Sequence, residues 1–168
     1  LPKSLEILNI GQSFSQTFDN CNWNEIDNLK VIKIYGYTCS WYEYNVNTNQ
    51  SIHKFNVYPS DYDTHINNLP KNLLYLHIAS PNFNHPIDNL PDSITHLKFY
   101  KSSNFNQPVN NLPSSLQSLT FGRNFNKTVD NLPDFNPEKG GTGLQSLEFG
   151  KDFNQSLNNL PKSLQTLT

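Results

Sequence analysis

The sequence predicts a β-rich solenoid. Short parallel strands would stack into one sheet on a concave face, returning through extended or polyproline-like segments on the convex side with little helix. Three observations predict it. The stretch Asn111-Leu112-Pro113-Ser114-Ser115-Leu116-Gln117-Ser118-Leu119-Thr120-Phe121 can be laid over Asn89-Leu90-Pro91-Asp92-Ser93-Ile94-Thr95-His96-Leu97-Lys98-Phe99, and such copies recur about every 20–24 residues. Each copy carries the triplet [L/I]-x-x-L-x-[I/F], whose last two apolar positions are two apart, the spacing of one strand face. Proline recurs just before the triplet at Pro70, Pro91, Pro113, Pro133 and Pro161, where it disfavours helix.

The triplet is the strand signature of a leucine-rich repeat, and eight segments fit it. In order they are Leu5, Leu8, Ile10; Leu29, Ile32, Ile34, which lacks its proline; Ile52, Phe55, Val57, hidden in an irregular region; Leu73, Leu76, Ile78; Ile94, Leu97, Phe99; Leu116, Leu119, Phe121; Leu144, Leu147, Phe149; and Leu164 with Leu167. Stacked in parallel, they give two inward columns. One runs Leu8, Ile32, Phe55, Leu76, Leu97, Leu119, Leu147, Leu167, and the other Ile10, Ile34, Val57, Ile78, Phe99, Phe121, Phe149. After each strand comes an aromatic row, Phe14, Tyr62, Phe83, Phe105, Phe125, Phe153. It is followed by Phe18, Ile66, Ile87, Val109, Val129, Leu157, and then by Leu69, Leu90, Leu112, Leu132, Leu160. So many apolar rows in a short coil leave little room for a convex helix. Residues 1–168 read as a single solenoid domain of about eight coils. The absence of Met and the start within a repeat read as a piece of a longer chain.

Asparagine is abundant, roughly one residue in six or seven. Asn84, Asn106, Asn126 and Asn154 follow the aromatic row, where their amides are expected to satisfy backbone groups as a ladder from coil to coil. A glycan would conflict with that packing, which discounts the sequons at Asn126 and Asn154 but not the one at Asn49. Two stretches break the rhythm. The Tyr- and Trp-rich segment 35–49 is expected on one rim, either packed locally or forming a partner-binding rim. The Pro- and Gly-containing insertion Asp134–Gly143 lengthens one coil by about eight residues and reads as a surface loop, either tolerated length variation or part of a binding face.

A net charge of -2 with 15% charged residues suggests neither nucleic acid nor an anionic membrane as partner. No apolar run approaches spanning length. Cys21 and Cys39 have no zinc spacing, and Cys21 stands where other coils place the leucine before proline, as a small buried hydrophobe. No nucleophile turn, phosphate loop or carboxylate pair is evident. Gly140-Gly141-Thr142-Gly143 leads into a strand and lacks the phosphate-binding lysine. The expectation is a non-enzyme with no cofactor and no metal.

Phe105-Asn106-Gln107-Pro108-Val109 with Asn111-Leu112-Pro113, and Phe83-Asn84-His85-Pro86-Ile87 with Asn89-Leu90-Pro91, resemble FNIP repeats. This leucine-rich-repeat subfamily is typical of social amoebae and of giant viruses that infect amoebae. The resemblance runs from about Asn67 to Thr168, with one more copy over Leu1 to Phe18. It departs from the pattern at Lys127-Thr128 and Gln155-Ser156, where proline is missing, and through most of Asn20 to His65. It implies an interaction protein, in some members joined to an F-box that recruits a ubiquitin ligase. No F-box is visible in this sequence.

The outward strand positions define the concave surface, the usual binding face of a solenoid. Coils two to five place Lys30, Lys33, Lys54 and Lys98 beside His53, His77 and His96, with Val31, Leu74 and Tyr75 among them, whereas later coils carry mostly Ser, Thr and Gln. A cationic patch with an aromatic and exposed aliphatics suits an acidic protein partner. The histidines lie in different columns with no Cys or carboxylate to complete a tetrahedral set. The first reading is a cytoplasmic protein-binding module, with ubiquitin-ligase substrate recognition as its implied role. The alternative is a structural component of a virion or cell exterior that self-associates through uncapped ends.

Overall fold

Eight short runs of the triplet form the strands β1 (Ile7–Ile10), β2 (Val31–Ile34), β3 (Lys54–Val57), β4 (Tyr75–Ile78), β5 (His96–Phe99), β6 (Ser118–Thr120), β7 (Ser146–Glu148) and β8 (Thr166–Leu167). The computed structural model describes the backbone of β1 to β3 together with residues 63–136, 138 and 141–168. The strands make one sheet in the order β1 to β8, every pair parallel. The register is the one the triplets require: Leu8, Ile32, Phe55, Leu76, Leu97, Leu119, Leu147 and Leu167 are successive partners. Among the described residues no α-helix occurs, and the returns are extended segments and turns.

The repeated motif has a physical reading. In Pro-x-x-Leu the proline carbonyl accepts a hydrogen bond from the N–H three residues on, at 3.1 Å for Leu73, Ile94 and Leu116 and 3.2 Å for Leu164. This β-turn aims the chain into the strand. Pro70, Pro113 and Pro161 are buried, at a site where proline has no N–H to leave unsatisfied. In the coil with the insertion, Leu144 N–H still donates to Pro133 O at 2.9 Å. The insertion is therefore looped out from inside this turn, and the coil keeps its register.

The second corner follows the strand. Phe125 N–H and Phe153 N–H close turns onto Gly122 O and Gly150 O. Gly122 has a steric cause: a Cβ there would collide with Tyr100 O and lie 2.7 Å from Ser103 Cβ of the preceding coil. The corner of the preceding coil is two residues longer, and Ser103, fully buried, fills it by accepting the Phe105 N–H at 3.1 Å.

The core is a stack of aromatic pairs. Phe121 and Phe125 face each other at 3.6 Å within one coil, and Phe149 and Phe153 at 3.7 Å in a later one. Between coils the rows Phe83, Phe105, Phe125, Phe153 and Phe99, Phe121, Phe149 repeat at 5.8 to 6.2 Å with nearly parallel rings. Leu73, Ile94, Leu116 and Leu144, the first residues of their triplets, are buried with them. Each such side chain stabilises the fold by roughly 1.5–3 kcal/mol. Leu157 and Leu167 are 40% and 45% exposed, against 2% for Val129 and 0% for Leu147 one coil earlier, since β8 pairs with β7 alone.

Asparagine joins the coils on the convex side. Asn84 Oδ1 accepts from Asn106 N–H at 2.9 Å, Asn106 Oδ1 from Asn126 N–H at 2.9 Å, and Asn126 Oδ1 from Asn154 N–H at 3.1 Å. Gln107 and Gln155 brace the row by donating to Asn84 Oδ1 and Asn126 Oδ1. A parallel row runs through the Asn-Leu-Pro corners, where Asn111, Asn131 and Asn159 donate to Asp88, Asn110 and Asp130 of the coil before. A third uses hydroxyls: Ser93, Ser115 and Ser163 donate to Leu73 O, Ile94 O and Leu144 O at 2.7 to 2.9 Å.

The Asn106 amide is half-buried, and its oxygen is the side-chain acceptor for Asn126 N–H. Asn106→Leu should therefore cost about 1–3 kcal/mol, or roughly 2–4 °C of Tm per kcal/mol. Asn106→Asp, which keeps an acceptor oxygen, should retain most of that stability. Thermal melts followed by circular dichroism check both.

Candidate functional site

With the apolar residues of each triplet turned inward, the alternate positions of the same strands face out. On β4 these are Tyr75 and His77, and on β5 His96 and Lys98. The register makes Tyr75 the partner of His96 and His77 the partner of Lys98, so the four residues form a compact two-by-two group. In backbone register the same rows continue through Lys54 and Val31 from Tyr75, and through Asn56 and Lys33 from His77. Lys30 and His53 lie outside the described residues. So do the segment 35–49, Asn49, Cys21 and Cys39. Parallel strands are about 4.8 Å apart, so successive backbone positions of a row stand at that interval.

Tyr75 and His96 stack face to face, with ring centroids 4.3 Å apart and planes 22° from parallel. Both are half-buried, and Lys98 is exposed. Leu74, just before β4, is half-buried and not an open aliphatic. Its carbonyl accepts from Thr95 N–H at 2.9 Å and His96 N–H at 3.1 Å, which ties the entries of β4 and β5. The Thr95 hydroxyl lies 3.1 Å from Leu74 O and 2.9 Å from His96 Nδ1. If its proton goes to Leu74 O, the ring's Nδ1–H donates to Thr95 and Nε2 remains an acceptor. Burial lowers the His96 pKa below the ordinary histidine value, favouring the neutral ring. The group therefore offers a half-buried aromatic stack beside an exposed lysine, a pairing chemically suited to an apolar side chain and an adjacent carboxylate.

The later strands change character. Ser118, Thr120, Ser146, Glu148 and Thr166 face out, with Thr120 Oγ1 3.4 Å from Glu148 Oε2. Apart from the sheet, His85 Nε2 lies 2.8 Å from Asp63 Oδ1, with the His65 ring 4.4 Å from that of His85. Among the described residues no group of three His, Cys, Asp or Glu side chains could hold a metal ion. Nor, among them, is any helix long and apolar enough to cross a membrane.

One feature of the surface was not singled out by sequence reasoning. Phe135, inside the insertion, is 62% exposed, the highest value among the exposed large hydrophobic side chains of the described residues. The signal available was a phenylalanine in a loop otherwise made of Asp, Asn, Pro, Glu, Lys, Thr and Gly.

The model of the FNIP repeat matches residues 63–102, 83–124, 105–135 and 141–168, together more than half of the chain. The chain belongs to the FNIP-repeat family. Its coils, with their aromatic and asparagine rows, are thus FNIP coils in structure as well as in sequence. The chain is also similar to CroV588, described as a novel circular LRR protein structure. The identity is 36% and the TM-score 0.71, over 100% of this chain and 24% of that one. It therefore spans about a quarter of the length of that relative. No curated protein matches it. Fold and family together make this FNIP chain a repeat scaffold of the kind typical of protein–protein interaction modules.

The His96 environment has a consequence for acid stability. Its folded-state pKa lies below the unfolded value of 6.5, so the unfolded chain binds the proton more readily. Stability is full above that value and falls as pH drops through it towards the folded pKa. His96→Gln should lose less stability than the parent between about pH 7.5 and about pH 5. Urea midpoints at the two pH values measure the difference.

Proposed function

We propose that this FNIP chain is a cytoplasmic protein-recognition module that takes an acidic protein segment on its concave face. The observation that carries this reading is the Tyr75–His96 stack with Lys98 on the neighbouring row. Stacked aromatics offer area at low entropic cost, and lysines beside them supply charge selectivity and on-rate. The register adds Lys54 to the row of Tyr75 and Lys33 to the row of Lys98. With Lys30, His53, Val31, Leu74 and His77, these complete the face the reading requires. The family resemblance adds one role for such a face, choosing substrates for a ubiquitin-ligase adaptor.

A second reading has one observation in its favour. The likeness to a circular leucine-rich-repeat protein supports coils of this type as parts of a closed structural assembly, on a virion or a cell exterior.

Affinity capture from an amoebal lysate separates the two. The intact chain is compared with Lys30→Glu/Lys54→Glu/Tyr75→Ala/Lys98→Glu. Recognition by the face predicts a protein held by the parent alone, whose retention weakens with added salt. Identical captures by both, insensitive to salt, would count against the face and favour the structural reading.

A further inference from the structure

The described residues of the insertion pair as the base of a hairpin. Gly141 N–H donates to Asn136 O at 3.2 Å in an antiparallel bridge, and Glu138 N–H donates to Asn136 Oδ1 at 3.0 Å. At its base Asp134 Oδ1 accepts from Phe135 N–H at 2.8 Å and from Ser163 N–H at 3.2 Å. The Phe135 bond first, with those of Lys162 and Ser163, holds the Asp134 carboxyl below the ordinary carboxylate range, so it stays ionised. Gly143 takes a left-handed φ of 71°, and a Cβ there would collide with Ser163 Oγ and lie 2.5 Å from Phe135 N. Gly141 sits against Ser114, where a Cβ would be 2.7 Å from its carbonyl oxygen. The hairpin is thus pinned over the entry turns of two coils, with Phe135 facing solvent.

Its chemistry is an exposed phenyl ring with two carboxylates, Asp134 and Glu138, against the single lysine Lys139. That is the complement of the concave group: a stacked Tyr75–His96 surface beside exposed Lys98. The pinning and exposure of Phe135 show that the two do not meet within one molecule.

We propose that the acidic segment taken by the concave face is this hairpin of a second copy. Phe135 packs on the Tyr75–His96 stack, and Glu138 and Asp134 face Lys98. The inference rests on the concave-face reading above and names its occupant. The contact is heterologous, since hairpin and patch are different surfaces, so each copy can give its hairpin to one neighbour and take that of another. A net charge of only -2 opposes association little.

Sedimentation velocity of the purified chain, over a concentration series at low and high salt, tests it. The parent should self-associate in a concentration-dependent and salt-sensitive way. Phe135→Ser and Lys98→Glu should each weaken association by about ten-fold or more. Phe135 is exposed, so its variant should keep the parent's melting temperature, which confirms that folding is not what changed. The decisive sample is a mixture: Phe135→Ser keeps an intact patch and Lys98→Glu an intact hairpin. The mixture should form a heterodimer that neither forms alone. A parent that stays monomeric throughout, self-association unaffected by both changes, or a mixture that stays monomeric would overturn the inference. A monomeric parent that still captures an acidic protein through Lys98 would sink only the hairpin as occupant. Captures indifferent to Lys98 would sink the concave-face reading itself.

Discussion

Everything in this molecule depends on lateral completion, because no coil can bury its own apolar rows. A single FNIP coil holds one strand of two to four residues and, in the coils of β5 to β7, a pair of phenylalanines. Such a coil becomes ordered only when its neighbours cover both faces and take up its polar groups. Three rows of side-chain hydrogen bonds do the second job, from Asn and Gln behind the aromatic row, from Asn and Asp at the Asn-Leu-Pro corner, and from Ser before the strand. The asparagine row is the most constrained. Each amide oxygen must reach the backbone of the next coil, so coil spacing and side-chain length have to agree. The same agreement lets the phenylalanine rings repeat at nearly constant intervals. Length variation is then confined to the corners, as with the insertion that leaves the Leu144–Pro133 hydrogen bond intact.

This division frees the outward positions. Inward columns, corner prolines and ladder asparagines are fixed by packing, whereas Tyr75, His77, His96 and Lys98 answer to no interior requirement of comparable strength. The surface can therefore change from aromatic and cationic on β4 and β5 to mostly hydroxyl-bearing, with the carboxylate of Glu148, on β6 to β8 with no change in the coil. Such independence of frame and surface is what makes a solenoid a recognition scaffold, and the family membership agrees with that use.

The inward columns were legible in the sequence because strand periodicity is strict. Even Phe55, in an irregular region, falls in register between Ile32 and Leu76. The asparagine row was legible for a similar reason, its spacing from the aromatic row being constant. The concave group was readable as columns. Its stacking was not, since alternation gives a side but no ring geometry. Other features escaped because they depend on contacts between coils. Ser103 is buried where its coil has a longer corner, and the Leu74 carbonyl ties the neighbouring strand entry. The pairing around Phe135 escaped because Pro and Gly mark a loop without saying that hydrogen bonds at Asp134 and Asn136 tie its base.

Side chains of one coil satisfy backbone donors of the next. Amide hydrogen exchange resolved at single residues tests it most directly. Asn106, Asn126 and Asn154 lie in no strand, yet each N–H is bonded to the asparagine of the preceding coil. Protection of these three amides close to that of Leu97 and Leu119, lost at Asn126 when Asn106 is replaced by leucine, is the predicted result. Exchange at Asn106, Asn126 and Asn154 as fast as in the exposed corners would contradict it.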